Sequence, residues 1–281
     1  MPQPIDLTTM VVHGLDAAAF CKERLGFDPD EWQTRLLRSR APQIILNCGR
    51  QVGKSTSTAA MALHTALYRP GALILMIAPS QRQSRELFIK TMSFLQCLEP
   101  PEATEEETKL SLMLSNDSRV VTLPGDNSRT LRGFSAPALV LMDEAAFIND
   151  DTYDAVLPML AASPEGRIIL MSTPYIAAGF FYQIWHGDGD WQRFEVKTED
   201  CPRVSPQWLA ARKREDPLRF DREYMCRFGS PEDSLFTPEM LDRMCLIVST
   251  CAALAVPKIR YSRRKCSTEW SLMILSRCFI R

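Results

Sequence analysis

Residues 47–56, with the sequence NCGRQVGKST, are the most informative part of this chain. They come close to the phosphate-loop pattern G-x-x-x-x-G-K-[ST]. The last three positions of the pattern fit, whereas Cys48 occupies the place of the first glycine and Gly49 comes one residue later. A short apolar run at 43–48 precedes the loop, and an Ala- and Thr-rich helical stretch follows at 55–67. A strand, a glycine-containing loop and a helix in that order are the context that a phosphate loop requires.

The chemistry of such a loop explains its residue types. Its backbone N–H groups and the N-terminus of the following helix form a cradle for an anion. Gly53 lets the backbone approach a phosphate closely, Lys54 can reach the β- and γ-phosphates, and Ser55 can coordinate Mg²⁺. A bare Gly-Lys-Ser could instead be an ordinary capped turn, but the flanking strand and helix favour the phosphate loop. The predicted nucleotide-binding residues of the loop are Cys48, Gly49, Arg50, Gln51, Val52, Gly53, Lys54, Ser55 and Thr56.

A second motif, LVLMDE at 139–144, is an apolar strand that ends in two carboxylates. Because a strand interior excludes charge, the acids are expected at its carboxyl end, where ligands bind in open α/β sheets. Asp143 suits the role of a metal ligand, directly or through water. Glu144 suits the base that orients or deprotonates an attacking water. The pair could also be a solvated strand end, but its distance of about 90 residues from the loop favours a nucleotide hydrolase.

The remaining sequence alternates apolar strands with helices. This rhythm predicts an α/β fold with a mostly parallel sheet that helices cover on both faces. The acidic segment 100–108 is expected to be a loop or a helix start. Expected strands are buried ones at 43–48, 72–79, 138–144 and 167–174, an edge strand at 193–198, and a hairpin that turns at 116–118. Expected helices are at 15–25, 55–67, 80–98, 150–162 and, interrupted at Pro217, 206–228.

Composition fits a globular protein and argues against several other classes. Of 281 residues, 46% are apolar and 24% are charged, unlike a disordered or fibrous chain. The apolar runs are far shorter than the roughly 20 residues of a membrane helix, and the first residues lack the features of a signal peptide. The nine cysteines are therefore expected to be reduced thiols in a cytoplasm.

Charge is distributed unevenly along the chain. The net charge is −1, but residues 251–281 carry +6 and residues 1–250 carry −7. A basic tail can bind nucleic acid, and it can equally be a solubilising end.

Three further features are candidates for the same site. Arg50 lies inside the loop, and an arginine near a γ-phosphate can offset the charge that develops in phosphoryl transfer, although it could equally be a surface residue. Gln33 offers both a donor and an acceptor to an adenine edge. Ser172, Thr173 and Pro174 end the strand at 167–174. Their hydroxyls could hydrogen-bond a γ-phosphate or water, or only cap the next segment.

Several segments together resemble one known family. CGRQVGKST, LVLMDEAAF and, at 171–185, MSTPYIAAGFFYQIW are closely similar to the ATPase domain of the large terminase subunit, the DNA-packaging motor of tailed bacteriophages. FDPDEWQTRLLRS at 27–39 resembles the adenine-binding segment of that family, and REYMCRFGSPEDSLFTPEML at 222–241 resembles its transition out of the ATPase domain. The resemblance covers about residues 25–243, and the off-pattern loop with its internal arginine is fairly specific to this family.

The resemblance implies an ASCE-type (RecA-like) P-loop ATPase that uses ATP and Mg²⁺. It further implies double-stranded viral DNA, a small terminase subunit and a portal protein as partners. It also implies a homo-oligomeric ring on the procapsid portal, no membrane, and a place in the host bacterial cytoplasm. The residue roles that it implies are adenine contact for Gln33, phosphate and Mg²⁺ ligands for Lys54 and Ser55, cis-acting arginine for Arg50, metal carboxylate for Asp143, catalytic carboxylate for Glu144, and coupling of hydrolysis to DNA movement for Ser172, Thr173 and Pro174.

Four parts of the chain are expected. They are an N-terminal segment 1–24, a P-loop ATPase core 25–200, a helical subdomain or linker 201–244, and a basic Cys-rich tail 245–281. Members of the family carry a C-terminal nuclease in which clustered acids hold divalent metal. The tail contains no Asp and only Glu269, so no nuclease activity is expected from it, and its composition suggests a truncated or frameshifted end. Two other functions remain open, a helicase-like ATPase and a remnant that binds nucleotide or DNA without packaging.

Overall fold

The computed structural model of this chain describes residues 6–98, 104–126 and 128–229. The expected tail at 245–281 lies outside these residues, as does the second part of the expected linker at 201–244. The four expected domain boundaries therefore stay predictions.

The described chain contains one sheet and ten α-helices. The strands are β1 Gln43–Cys48, β2 Leu73–Ala78, β3 Thr104–Glu107, β4 Ser111–Leu114, β5 Arg119–Pro124, β6 Leu139–Asp143, β7 Arg167–Ser172 and β8 Gln192–Val196. The helices are α1 Leu7–Leu15, α2 Ala17–Arg24, α3 Glu31–Arg38, α4 Lys54–Tyr68, α5 Gln81–Gln96, α6 Ser128–Leu131, α7 Asp150–Ala161, α8 Gly179–His186, α9 Pro206–Glu215 and α10 Pro217–Tyr224. No helix among the described residues is long and apolar enough to cross a bilayer.

The order of the strands brings three chain segments together at the carboxyl ends of neighbouring strands. The order is β3-β4-β5-β2-β6-β7-β1-β8. The six strands β5, β2, β6, β7, β1 and β8 run parallel to one another, whereas β3–β4 and β4–β5 are antiparallel pairs. Strand β7 lies between β1 and β6. In its register Asn47 of β1 is opposite Ser172 of β7, and Asp143 of β6 is opposite Met171. The phosphate loop, the acid pair and the Ser-Thr-Pro segment therefore start at adjacent strand ends.

Helices bury both faces of the sheet, which confirms the predicted fold class. Successive strand side chains point to opposite faces, so Ile44 and Leu46 belong to one apolar cluster and Ile45 belongs to the other. Helices α2 to α5 contribute to the first cluster, and α6 to α8 contribute to the second. Because both faces are covered, the inner parallel strands β1, β2, β6 and β7 are apolar at most positions, and this makes them recognisable in the sequence.

Local signals set several element boundaries. The predicted hairpin is present as β4 and β5, and the predicted edge strand is β8, which pairs with β1 alone. Pro217 separates α9 from α10, and the carboxylate of Asp216 caps α10 by accepting a hydrogen bond from Arg219 N at 2.9 Å. The expectation of a loop or helix start at 100–108 is wrong at Thr104–Glu107, which is strand β3 and pairs with β4.

Candidate nucleotide-binding site

The phosphate loop joins the end of β1 to the start of α4 and has a left-handed backbone at two positions. Gln51 has a φ of 65° and Gly53 has a φ of 94°. A Cβ atom on Gly53 would lie 2.7 Å from Nε2 of Gln33. Both the dihedral angle and the close approach therefore require glycine at position 53.

The departure from the usual loop pattern has a packing reason. Cys48 is the last residue of β1, and its thiol is fully buried, which raises the pKa of the Cys48 thiol. The next residue, Gly49, donates from its N–H to Val196 O at 2.8 Å. A Cβ atom on Gly49 would overlap Oγ1 of Thr198, so the glycine is needed one position later than in the usual pattern. Cys48 can contribute only backbone atoms to an anion site.

Lys54 and Glu144 meet although they are far apart in the chain. Lys54 Nζ lies 2.7 Å from Glu144 Oε1, and their side chains are 12% and 26% exposed. Glu144 follows β6 with a φ of 51°, a left-handed conformation that is costly for a residue with a Cβ atom. This backbone turns the carboxylate toward the first residue of α4. The two motifs therefore form one site.

Ser55 and Asp143 form a second contact beside this pair. Ser55 Oγ donates to Asp143 Oδ2 at 3.2 Å, and Asp143 Oδ1 accepts from Glu144 N at 2.9 Å. Burial raises the pKa of the Asp143 carboxyl, and the nearby Lys54 charge acts in the opposite direction. Hard oxygen donors are the ligands that Mg²⁺ prefers, so this pair fits a magnesium site.

In such a metal site, the protein would supply only part of the coordination shell, and the bound phosphates would supply another part. Nowhere in the described ranges do three or more His, Cys, Asp or Glu side chains gather in a group that could hold a metal ion. A Mg²⁺ ion at Ser55 and Asp143 would complete its six-fold shell with phosphate oxygens and water, which is the usual arrangement for this ion.

Arg50 is held by Glu223 of α10 and by Thr198 in the short turn after β8. Its N–H donates to Glu223 O at 2.8 Å, and its carbonyl accepts from Thr198 Oγ1 at 2.8 Å. Its Nε lies 2.8 Å from Glu223 Oε2. The loop is fixed further by Arg203, whose Nη2 donates to Val52 O at 3.1 Å.

Gln33, the expected adenine contact, lies against the loop with one end of its amide already engaged. Its side chain is 1% exposed, and its Oε1 accepts from Asp30 N at 2.8 Å as part of a capping box at the start of α3. Its Nε2 approaches Gly53. The acceptor of the amide is therefore used internally, and the NH₂ group is the part that faces the loop.

The Ser-Thr-Pro segment is buried at the end of β7, next to the loop strand. Ser172 Oγ donates to Thr173 O at 2.7 Å, so in this structure its hydroxyl caps its own segment. Thr173 and Pro174 are also buried. Thr56 lies in the first turn of α4, half-buried, beside Ser55. The structure thus brings Lys54, Ser55, Asp143 and Glu144 into contact, and it places Ser172, Thr173 and Pro174 at the neighbouring strand end.

Three residues that contact the loop have no counterpart in the sequence-based prediction. They are Thr198, Arg203 and Glu223, which contact Arg50 or Val52. Thr198 begins a short 3-10 turn at the end of the expected edge strand, Arg203 lies in the turn before α9, and Glu223 lies in α10. No local motif identifies them, because their partners are defined by tertiary packing.

Fold and site together define the class of this chain. A phosphate loop after β1, an acid pair after β6 and an additional strand, β7, between them are the features of an ASCE-type P-loop domain. A family model described as "Terminase large subunit, T4likevirus-type, N-terminal" matches residues 45–243, which is more than half of the chain. The chain belongs to this family.

Relatives and solved structures agree with this family. The terminase large subunit of Thermus virus P23-45 is 27% identical over 262 residues, covering 80% of this chain and 53% of the relative. The large terminase ATPase domain of Thermus phage P74-26 is 25% identical with a TM-score of 0.65, covering 73% of this chain and 96% of that domain. The HK97 large terminase, at 15% identity, shares the fold with a TM-score of 0.65, over 76% of this chain and 55% of that one. The chain spans about half the length of the curated relatives it matches.

We expect Gly53→Ala to destabilise the protein more than Gly71→Ala does. Both glycines have a positive φ, at 94° and 70°, but nothing lies within 4 Å of a Cβ atom on Gly71. The control therefore reports the backbone strain alone, about 1–2 kcal/mol, and Gly53→Ala adds a steric cost of about 1 kcal/mol or more. Urea unfolding followed by circular dichroism measures both. Equal losses would contradict the close approach of Gln33.

Asp143→Asn is expected to increase the free energy of unfolding at neutral pH. Above the raised pKa of Asp143 the native state holds a buried carboxylate, whereas the unfolded chain titrates near the ordinary value of 3.8. The cost of the buried charge is present at neutral pH and disappears as the pH falls through the raised pKa. The difference between variant and parent should therefore shrink at acidic pH.

Urea titrations at neutral and acidic pH measure this difference, with Asp221→Asn on the exposed side of α10 as the control. An Asp143→Asn variant that is less stable than the parent at neutral pH would contradict the buried-charge explanation.

Proposed function

We propose that this chain is the ATP-hydrolysing domain of a phage DNA-packaging motor. One observation carries the proposal, the 2.7 Å contact between Lys54 Nζ and Glu144 Oε1 at the carboxyl edge of the sheet. It joins a phosphate-binding group to a group that can activate water. Other P-loop folds bind nucleotide without this carboxylate, so the contact favours hydrolysis over binding alone.

Lys54 and Glu144 have complementary roles in this proposal. In the structure the Lys54 ammonium neutralises the carboxylate. A triphosphate offers Lys54 a doubly charged oxygen cluster, and the loop N–H groups hold the same phosphates. Once Lys54 binds phosphate, the Glu144 carboxylate is free to orient an attacking water and to accept its proton. The ion pair therefore keeps the base inactive until nucleotide binds.

Ser55 and Asp143 are the residues that would hold magnesium. Mg²⁺, when bound, neutralises charge on the β- and γ-phosphate oxygens. Asp143 is kept in place by Glu144 N and Ser55 Oγ, so its carboxylate needs little reorganisation to receive a cation. The raised pKa of Asp143 also gives a reason for cation binding to be favourable, because a cation compensates the buried charge.

The remaining predicted residues take supporting roles. Arg50 acts in cis on the charge that develops at the γ-phosphate. Gln33 faces the loop with its amide NH₂ and contributes to nucleotide binding through that donor. Ser172, Thr173 and Pro174 couple hydrolysis to DNA movement, since they lie at the carboxyl end of β7, the strand between the loop strand and the acid-ended strand.

The wider role follows from the family. Because relatives are named as terminase large subunits, we propose double-stranded viral DNA as the translocated partner. We propose that the chain works as a homo-oligomeric ring on a procapsid portal, with a small terminase subunit, in the host bacterial cytoplasm. The expected segments 25–200 and 201–244 would then be its motor core and its helical subdomain.

Lys54→Ala and Glu144→Gln are each expected to lower steady-state ATP turnover by at least about 100-fold. The first removes the phosphate contact, and the second removes the base while keeping the shape of the side chain. Phosphate release at saturating ATP and Mg²⁺ measures the effect. Lys22→Ala and Glu165→Gln are matched controls, because both residues form exposed ion pairs elsewhere. Turnover near the parent value in Glu144→Gln would contradict the assignment.

Duplex DNA is expected to stimulate the ATPase several-fold without strand separation. Phosphate contacts release counterions, so the stimulation should weaken between about 50 and 200 mM salt. Turnover is measured with and without a blunt duplex, and a fluorescent duplex in the same buffer reports unwinding. Unwinding that depends on ATP would favour a helicase-like enzyme instead. An ATP turnover that is the same with and without DNA would contradict the proposed motor function.

A further inference from the structure

Glu223 on α10 is a charged residue that the proposed chemistry does not use. Its side chain is 12% exposed, and both carboxylate oxygens are engaged by arginines. Oε2 lies 2.8 Å from Arg50 Nε, and Oε1 lies 3.1 Å from Arg219 Nε. Its backbone carbonyl also accepts from Arg50 N at 2.8 Å. A single residue of α10 therefore holds both the main chain and the side chain of the loop arginine.

The ion pair with Glu223 leaves one end of the Arg50 guanidinium available. Arg50 faces Glu223 with Nε, while its two terminal nitrogens form no hydrogen bond or ion pair with the residues that the structure describes. The Arg50 side chain is 55% exposed. A guanidinium fixed at Nε can still present its terminal nitrogens to an oxyanion, for which their fork geometry is suited.

The charge of this cluster suits an anionic ligand. One carboxylate faces two guanidinium groups, so the group of Glu223, Arg50 and Arg219 keeps a net charge of +1. A purely structural pairing would not require the carboxylate to be buried, because the exposed Arg219 at i−4 already gives it a helical partner.

The segment that directly follows α10 is fixed against the strand ends. Asn47 Nδ2 donates to Cys226 O at 2.9 Å, and Cys226 Sγ lies 3.2 Å from Val196 O. Gly229 N donates to Tyr175 O at 2.8 Å in the segment that follows the Ser-Thr-Pro motif. These contacts attach the C-terminal end of α10 to β1, β8 and the segment after β7, and they limit the movement of Glu223 relative to the loop.

We propose that Glu223 is a positioning residue for nucleotide hydrolysis, which holds Arg50 through Nε so that its terminal nitrogens face the phosphates. The proposal rests on the proposed function, because it takes Arg50 as the cis-acting arginine. It makes α10 a part of the nucleotide site, and it gives an effect on the chemical step to a residue of the segment 222–241, for which the resemblance implies no catalytic role.

The test compares Glu223→Gln with Asp221→Asn on the same helix. Asp221 forms an exposed ion pair with Arg227, so its variant makes the same acid-to-amide change away from the loop. Glu223→Gln removes the charge and one acceptor while it conserves shape. We expect a kcat about tenfold lower, because a misplaced catalytic group slows the chemical step, and a KM for ATP within about twofold of the parent. Asp221→Asn should match the parent in both constants.

A double-mutant cycle separates positioning from a structural role. Arg50→Lys keeps the positive charge but lacks the planar guanidinium that Glu223 would orient. If Glu223 acts through Arg50, adding Glu223→Gln to Arg50→Lys changes kcat no further. A structural role would lower kcat by the same factor in both backgrounds. Should Arg50→Lys turn over below steady-state detection, the four proteins are compared by single-turnover phosphate release at high protein concentration, where the same non-additivity is expected and additivity overturns the proposal.

The outcomes also distinguish this proposal from the proposed function. A parent protein without ATP turnover overturns both. A parent that hydrolyses ATP while Glu223→Gln keeps the parent kcat overturns the positioning role alone. Glu223→Gln could lower kcat and also lower the thermal unfolding midpoint more than Asp221→Asn does. In that case the double-mutant cycle decides between positioning and a structural role, since only an effect through Arg50 vanishes in the Arg50→Lys background.

Discussion

The ion pair between Lys54 and Glu144 is the contact on which the site depends. Two partly buried charges would each be costly alone, because the interior solvates them poorly, and each compensates the other at 2.7 Å. The pair exists only because α4 and the end of β6 meet at one sheet edge. A ligand that replaces the carboxylate as the partner of Lys54 must itself be strongly anionic. This requirement selects polyphosphates over neutral ligands.

The sheet order is what makes this contact possible. With β7 between β1 and β6, the loop strand and the acid-ended strand are separated by one strand spacing on each side. This arrangement places Ser172 between the loop and the acids at the carboxyl ends of the strands. The inserted strand therefore defines the width of the site, and any group at its end is next to both the loop and the acids.

Apolar runs made the parallel strands predictable, since burial on both faces removes polar residues from β1, β2, β6 and β7. Strand β3 was not predictable, because its sequence TEEE has low strand propensity and is ordered by pairing with β4. In the site, spacing and residue type were sufficient to bring together the loop and the acid pair. Glu223 could not be predicted this way, because no spacing or residue pattern in the sequence links it to Arg50.

The unusual loop and its arginine have one common cause. Cys48 completes β1, and the main chain continues to pair with β8 through Gly49, so the loop leaves the sheet one residue later than the usual pattern requires. Arg50 is then the first loop residue, and it lies where α10 and Thr198 can hold its backbone. The displaced glycine and the internal arginine are therefore coupled. A glycine at position 48, where the usual pattern has one, would not release the loop from β8. The close contact with Thr198 is made at position 49 and would remain.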